Sequence, residues 1–540
     1  MKKIAIIIAA TALALGGCNK FLDEKPADRL LEDEAYGTLN DLWLNGVAGL
    51  YREVGGNANG TGLQGTVRGV YDLNTFSTDE AFVPKRGADW YDGGVWQAMF
   101  LHNNASADCG DAWNYLLRQV LACNASLEHI DAYAAAHPND NVAPLRAEVI
   151  ALRAMFRFYA MDLFGRLPLF DSSKPSTDEL HLQPRSKVYH AIVDDLTGSL
   201  DLLSHARSNY PGEYYGRITQ PVALFLLAKL MLNVEVYADD DWTDGKRPSG
   251  KDIKWTVNGE TVNSWQACAI YCDEIGNHGY DLELSQSACF AVRNEFSVEN
   301  IFTIPMDRHL LTNEFWNLVR SRHYKHGTAL GLEGENGPCA TRHALEVFGY
   351  GTDDLDPRFY STYYAGEMYD LDGDPILLDD GTPLVYYPDK VELDLSDSPY
   401  IRTAGARMAK YEVDLHALKD GKLSDNDIVL MRYADVLLMH CEALLRDGGN
   451  DELASALLNT VRGRVGAHGR EATLDNVLDE RLLELAWEGW RRNDLIRFNR
   501  WGAAITDRPS LPVDADGHTI VYPIPGETLT VTGDPQNPGF

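Results

Sequence analysis

Positive charge is what this sequence has least of. Among 540 residues, 48 Lys and Arg face 80 Asp and Glu, a formal charge of −32. Nucleic acid and anionic membrane surfaces require concentrated cations, so the composition argues against both as partners of the folded body. Acidic polysaccharides are disfavoured less, because one local basic cleft would suffice; neutral ligands fit best. Cysteine is scarce too, at eight residues, far below the density of a disulfide scaffold. Cys268 and Cys272 stand four apart with no CxxC or His–Cys set nearby, so buried thiols are expected rather than a metal pair. No Walker loop, GxGxxG, GxSxG or HExxH occurs. Nothing in the sequence marks an enzyme.

What is present begins with MKKIAIIIAATALALGGC, a basic start, a short apolar run and small residues before Cys18. The run falls short of the roughly 20 residues of a membrane span. It reads as an export signal over 1–17, and LGGC resembles a lipobox that makes Cys18 the lipid-bearing N-terminus. Polar, acidic residues 18–40 suit a tether. The rest divides into a helical region 41–238, a loop-rich region 239–426 and a second helical region 427–540. Hydrophobic residues at 45% and charged residues at 24% are those of a folded chain with a large core.

Helical periodicity is clear in 145–165, where Leu145, Val149, Leu152, Phe156 and Tyr159 form one stripe ended by Gly165. Further helices are expected over 186–203, 221–237, 427–449, 452–466 and 474–498. The 221–237 segment is apolar on nearly every face and should be deeply buried. Helices joined by short turns on either side of an irregular middle predict a mainly α fold, a helical-pair scaffold carrying a long loop-rich insertion.

Two loops carry unusual aromatics. In 75–104, Trp90, Tyr91 and Trp96 stand among Arg86, Asp89, Asp92, Gly93 and Gly94. Rings among glycines and acids build a core poorly, whereas exposed they offer π-faces to sugar C–H groups beside hydroxyl-binding polar groups; composition equally allows one or more of these rings to plug the loop onto the body. A second loop, 313–327, offers Trp316, His323 and Tyr324. Asp370, Asp372 and Asp374 alternate as in a calcium loop, but Pro375 and Gly381 occupy the positions an EF-hand gives to glycine and glutamate. A looser calcium site is the alternative to a solvated turn there, and no other cofactor is expected.

In order along the chain, several segments resemble the RagB/SusD family of surface nutrient-binding lipoproteins. They include FLD-x2-P up to Pro26, RGADWYDGGVW (86–96), LRAEVIALRAMFRFYAMDLFGRLPL (145–169), MRYADVLLMHCEALL (431–445), DERLLELAWEGWRRNDLIRF (479–498) and YPIPGETL (522–529). The resemblance implies a tetratricopeptide-based helical scaffold on the outer face of the outer membrane. It also implies a SusC-like TonB-dependent β-barrel partner, capture of a glycan without bond cleavage, or of a peptide as in RagB-type members. A surface glycoside hydrolase is the reading from another class, and a purely structural adaptor a third. For single residues, it implies a stacking role for Trp96 and, beyond it, ligand-binding roles for Trp90, Arg86 and Asp92; Tyr91 is a further ligand-binding candidate. Trp316 and Tyr324 would be further ligand aromatics, and Asn336 with Gly337 a family turn. An insertion at 239–264 adds Trp242 and Trp255, expected to extend the binding surface or touch the transporter. Trp487, Trp490, Arg491 and Arg492 are expected to pack the scaffold.

Overall fold

The computed structural model describes residues 35–56, 61–105, 108–311 and 313–540. The export signal 1–17, Cys18 and most of the tether lie outside the described residues.

Helices pack in succession on both sides of the irregular middle. The first group is α1 (Gly110–Ala136), α2 (Ala143–Phe164) and α3 (Arg185–Ser199), each packed on the next. Pro144 sits in the first turn of α2 and Gly165, at φ 70°, closes it where an L side chain would be strained. Helix α4 (Gln220–Leu232) packs on α5 (Ser264–Asn277), which packs on α6 (Tyr433–Asp447). Then α7 (Asp451–Arg464) and α8 (Leu474–Leu485) both pack on α6, and α9 (Arg491–Arg497) follows α8. Asn450 and Thr473 cap α7 and α8 through their side chains. This is a mainly α, tetratricopeptide-like scaffold.

Every residue of α4 from Pro221 to Leu232 is buried, including Lys229. An ammonium there is tolerable only when paired, and its Nζ lies 2.6 Å from Asp435 Oδ2.

Strands are short. Those that bear on the site and scaffold are β1 (Ala81–Phe82), β2 (Lys254–Val257), β3 (Glu260–Asn263), β4 (Asn300–Ile304), β5 (Cys339–Ala340) and β6 (Ile428–Arg432). Six antiparallel pairs form among the described residues, among them β1 with β5, β2 with β3 and β4 with β6.

The expected helix 427–449 therefore starts late, because its first apolar residues are the fully buried strand β6. A short apolar run gives no period with which to tell strand from helix. The expected helix 474–498 is broken between α8 and α9, where Trp487 takes φ 66° and Gly489 φ 77°. The 14-residue α5 lies inside the region read as loop-rich.

The two insertion tryptophans pack inward. Trp242 is buried beneath the Arg185 guanidinium, 4.3 Å from the ring centroid, and Trp255 meets Tyr189 edge-on at 5.7 Å. Of the two, Trp242 is buried and Trp255 half-buried. Cys268 and Cys272 are buried free thiols, and Trp487, Trp490, Arg491 and Arg492 are buried in the scaffold.

Candidate functional site

Pairing of β1 with β5 brings the 85–104 loop against residues 336–340. Two anchors hold the loop from behind. Arg86 donates to the Ile401 and Ala404 carbonyls at 2.7 and 2.9 Å and is only 4% exposed. The indole of Trp90 donates from Nε1 to the Glu335 carbonyl at 2.8 Å. Its ring lies so close to Gly337 that a Cβ there would fall 2.5 Å from ring atoms. Arg86 is thus a clamp inside the protein rather than a ligand contact.

Between these anchors and the next helix the backbone is strained. Trp90, Asp92, Gly93 and Gly94 have φ of 56°, 43°, 69° and 87°. A non-glycine residue held there costs about 1–3 kcal/mol, and such strain gathers where a loop must present specific groups. The chain reverses, and Trp96 then opens the short helix Val95–Phe100 pointing into the core. Trp96 is 3% exposed, edge-on to Phe76 at 6.3 Å and 6.0 Å from Trp90. The ring expected to stack most strongly on a ligand is instead a floor beneath Trp90.

The rings that face solvent are Tyr91, 47% exposed, and Tyr324, 40% exposed, with Trp90 half-buried between core and surface. Tyr324 donates its hydroxyl to Asp89 Oδ2 at 3.2 Å, joining the two aromatic loops. Lys85 Nζ stands 5.2 Å from the Tyr91 ring centroid and 3.0 Å from Asp394 Oδ2. Arg68 pairs with exposed Asp92 at 2.8 Å. Tyr91, Tyr324, Asp89, Asp92, Arg68 and Lys85 thus form an exposed aromatic face rimmed by hydrogen-bonding groups. Arg68 and Lys85 escaped sequence reasoning, since nothing local distinguishes them from other surface cations.

Trp316 is half-buried and already occupied. The Lys422 ammonium lies 3.9 Å from its ring centroid, and the indole N–H is buried with no acceptor among the described residues. Asn336 is buried, adopts φ 54° and accepts from Arg407 Nη2 at 2.9 Å, so it shapes the turn under Trp90. His323 and His326 are buried beside it. Burial, followed by the positive charges of Arg407, Arg402 and Arg86, holds His323 down to about 4. Burial and then Arg322 hold His326 down to about 3. Both imidazoles are neutral at pH 7.

The calcium candidates are not brought together as a coordination sphere. Asp370 Oδ1 instead accepts the backbone N–H groups of Asp372 and Asp374 at 3.0 and 2.9 Å. Among the described residues, no group of three or more His, Cys, Asp or Glu side chains could hold a metal ion. A cleft of about 680 Å³ lies elsewhere, between the 239–247 loop and the C-terminal region and lined by Trp242, Arg247, Arg446 and Arg500.

A helical-pair scaffold presenting one loop-borne aromatic face defines a SusD-like fold. A sequence model described as the SusD family matches residues 350–535. A SusD-like protein P25 from Formosa agariphila is 24% identical over 90% of this chain and 87% of its own length. The starch-binding protein SusD of Bacteroides thetaiotaomicron is 22% identical over 65% of this chain and 64% of its own. Among solved structures, a laminarin-binding SusD-like protein superposes with a TM-score of 0.67 at 21% identity, over 93% of this chain and 99% of that one. The surface glycan-binding protein A of Bacteroides thetaiotaomicron, in complex with laminarihexaose, reaches 0.65 at 19% identity, over 87% and 94%. The chain thus has a SusD-like fold, and the match to the SusD family itself falls on residues 350–535.

Proposed function

We propose that this chain is a non-catalytic surface receptor that captures a glycan on the Trp90–Tyr91–Tyr324 face. The observation that carries this reading is the pair of exposed rings, Tyr91 and Tyr324, presented by a strained loop and tied across two segments through Asp89. Flat rings receive sugar C–H faces, and carboxylates with a guanidinium at the rim bond hydroxyls. Relatives whose names state starch or laminarin binding support a carbohydrate as the ligand class. In the same reading, lipid on Cys18 anchors the protein at the outer face of the outer membrane. A SusC-like TonB-dependent barrel takes the captured glycan. Among the described residues no helix is long and apolar enough to cross a membrane, which accords with a lipid anchor.

Calorimetric titration of the mature chain in detergent with neutral and acidic oligosaccharides tests the reading, with peptides as controls. Binding in the micromolar to millimolar range, about −8 to −4 kcal/mol, is expected of a receptor that must release its cargo. Tyr91→Ala and Tyr324→Ala should each weaken it by about tenfold, roughly 1.4 kcal/mol, while leaving unfolding within about 0.5 kcal/mol. Saccharide recovered in shortened form would make the protein a hydrolase. Binding to peptides alone would replace the glycan reading.

A further inference from the structure

Behind the aromatic face lies a set of arginines without carboxylate partners. Arg86, Arg322 and Arg407 are 4%, 1% and 0% exposed. They gather around Tyr386. Arg407 lies 5.2 Å from that ring's centroid, and the Tyr386 hydroxyl meets the His323 N–H at 2.9 Å and His326 Nδ1 at 3.1 Å. Arg86 and Arg407 are held by neutral oxygens, Arg86 on the Ile401 and Ala404 carbonyls, Arg407 on the Gly337 carbonyl and Asn336 Oδ1. Arg322 is different. Its Nε and Nη1 are buried and have no acceptor among the described residues, as is also true of Nε in Arg86 and Arg407 and of Nε2 in His323.

Carbonyl oxygens satisfy hydrogen bonds without cancelling charge. The groups favouring the charged form of Arg322 are the hydroxyls of Tyr364 and Tyr386, and those favouring it in Arg407 are the Cys339 thiol and Tyr386. The acids nearby are spent at the surface. Asp379 pairs with Lys325 at 2.6 Å with its own side chain 74% exposed, and Asp89 accepts from Tyr324. A buried guanidinium with no counter-charge and two nitrogens lacking acceptors is a costly arrangement for a protein interior.

We propose that a monovalent anion binds at Arg322, taking either the Nε–H or an Nη1–H as its donor and supplying the counter-charge that this arginine cluster lacks. The chemistry is that of a small singly charged acceptor, either a free halide or a carboxylate carried by a ligand. Near-complete burial of Arg322 suits an ion of this size and charge, since a doubly charged anion loses more on leaving water. The site lies close to the platform, because the Arg322 carbonyl accepts the N–H of Asn336, in the turn under Trp90, at 2.6 Å. It stands whether or not the outer face binds glycan.

Bromide serves as the probe. Crystals of the mature chain grown with bromide as the only halide should show an anomalous peak in contact with Arg322 Nε or Nη1. In solution, replacing gluconate by about 100 mM bromide at fixed ionic strength should raise the unfolding temperature by about 2–4 °C. Arg322→Met should remove that response, and if that variant does not fold, Arg322→Lys and the wild-type peak carry the decision. A peak without any shift in unfolding marks an adventitious ion only and overturns the proposal. Where bromide leaves no peak but the carboxylate of a glucuronate-bearing oligosaccharide occupies Arg322, the anion is the ligand's own. Water at Arg322, with no halide response and no carboxylate in the presence of that oligosaccharide, overturns the proposal as well.

Discussion

Two regions of this protein bury arginines, and they do so in opposite ways. In the C-terminal scaffold, Arg432 reaches Glu299, Glu484 and Glu488 at 2.8, 2.5 and 2.7 Å. Arg358 pairs with Asp356, Glu480 and Glu484 at 2.8, 2.7 and 2.9 Å, and Arg464 binds Glu484 as well. Burial opposes ionisation of Glu484, but Arg464, Arg432 and Arg358 override it and hold the carboxyl well below its ordinary value. Behind the aromatic face, by contrast, burial and then Arg407 pull Arg86 down to about 9, and no carboxylate restores it. A lattice of fixed, compensated charges suits a scaffold that holds one shape. The cluster behind the aromatic face lacks that compensation.

Four substitutions sharpen this contrast. The largest effect is expected from Glu484→Gln, which strips one shared counter-charge from three buried guanidiniums. Breaking a buried pair costs about 3–5 kcal/mol, and denaturant unfolding should register a loss of that order. Arg322→Met in the same assay should cost far less, because no carboxylate is orphaned. Equal losses in the two variants would erase the distinction between the regions.

Next comes Trp96→Ala, on the boundary between loop and core. A buried indole removed from contact with Phe76 and Trp90 should cost about 3 kcal/mol or more of stability. Its signature is a lowered unfolding midpoint. Glycan affinity lost at unchanged stability would instead return Trp96 to the binding surface.

The smallest effect is expected at the seam, where two neighbouring carboxylates differ. Burial would raise Asp79, yet Arg491, bonded at 2.7 and 2.8 Å, overrides it and holds the carboxyl low. Burial pushes Glu80 from 4.5 up to about 8, against the backbone N–H that Trp487 donates to it at 2.7 Å. A carboxyl whose folded pKa is raised binds its proton more tightly in the native state. Its contribution therefore favours folding at low pH and is lost as pH rises from about 4.5 to about 8. Glu80→Gln, which keeps an oxygen for the Trp487 N–H, should flatten that slope by at most about 1.4 kcal/mol per pH unit within the window, the limit set by one proton. An unchanged slope in urea unfolding at several pH values would show Glu80 ionised throughout.

Local pattern made the scaffold readable. Helices α2 and α7 fall within two residues of the segments marked by apolar period, proline and glycine, because capping and periodicity are properties of neighbouring residues. Helix α4 starts one residue before its segment but ends five residues short of it. Strand β6 was hidden because burial on both faces erases alternation. The platform was legible only as a composition. Glycine and acid beside indole marked the 86–96 stretch, but which ring faces outward depends on the reversal at Trp90–Gly94. It depends equally on partners some 245 to 318 residues away, at Glu335, Ile401 and Ala404. No local pattern encodes those distances.

The seat of Trp90 on Gly337 has a further consequence for how such a protein diversifies. No side chain fits at residue 337 beneath the indole, so those two positions are locked to each other. With Arg86 riveted to the 401–404 carbonyls, the back of the loop is invariant hardware. Tyr91 and Asp92 project from it to solvent without supporting the core. They can be exchanged like the type in a printing frame, giving a new ligand preference while the frame keeps its register.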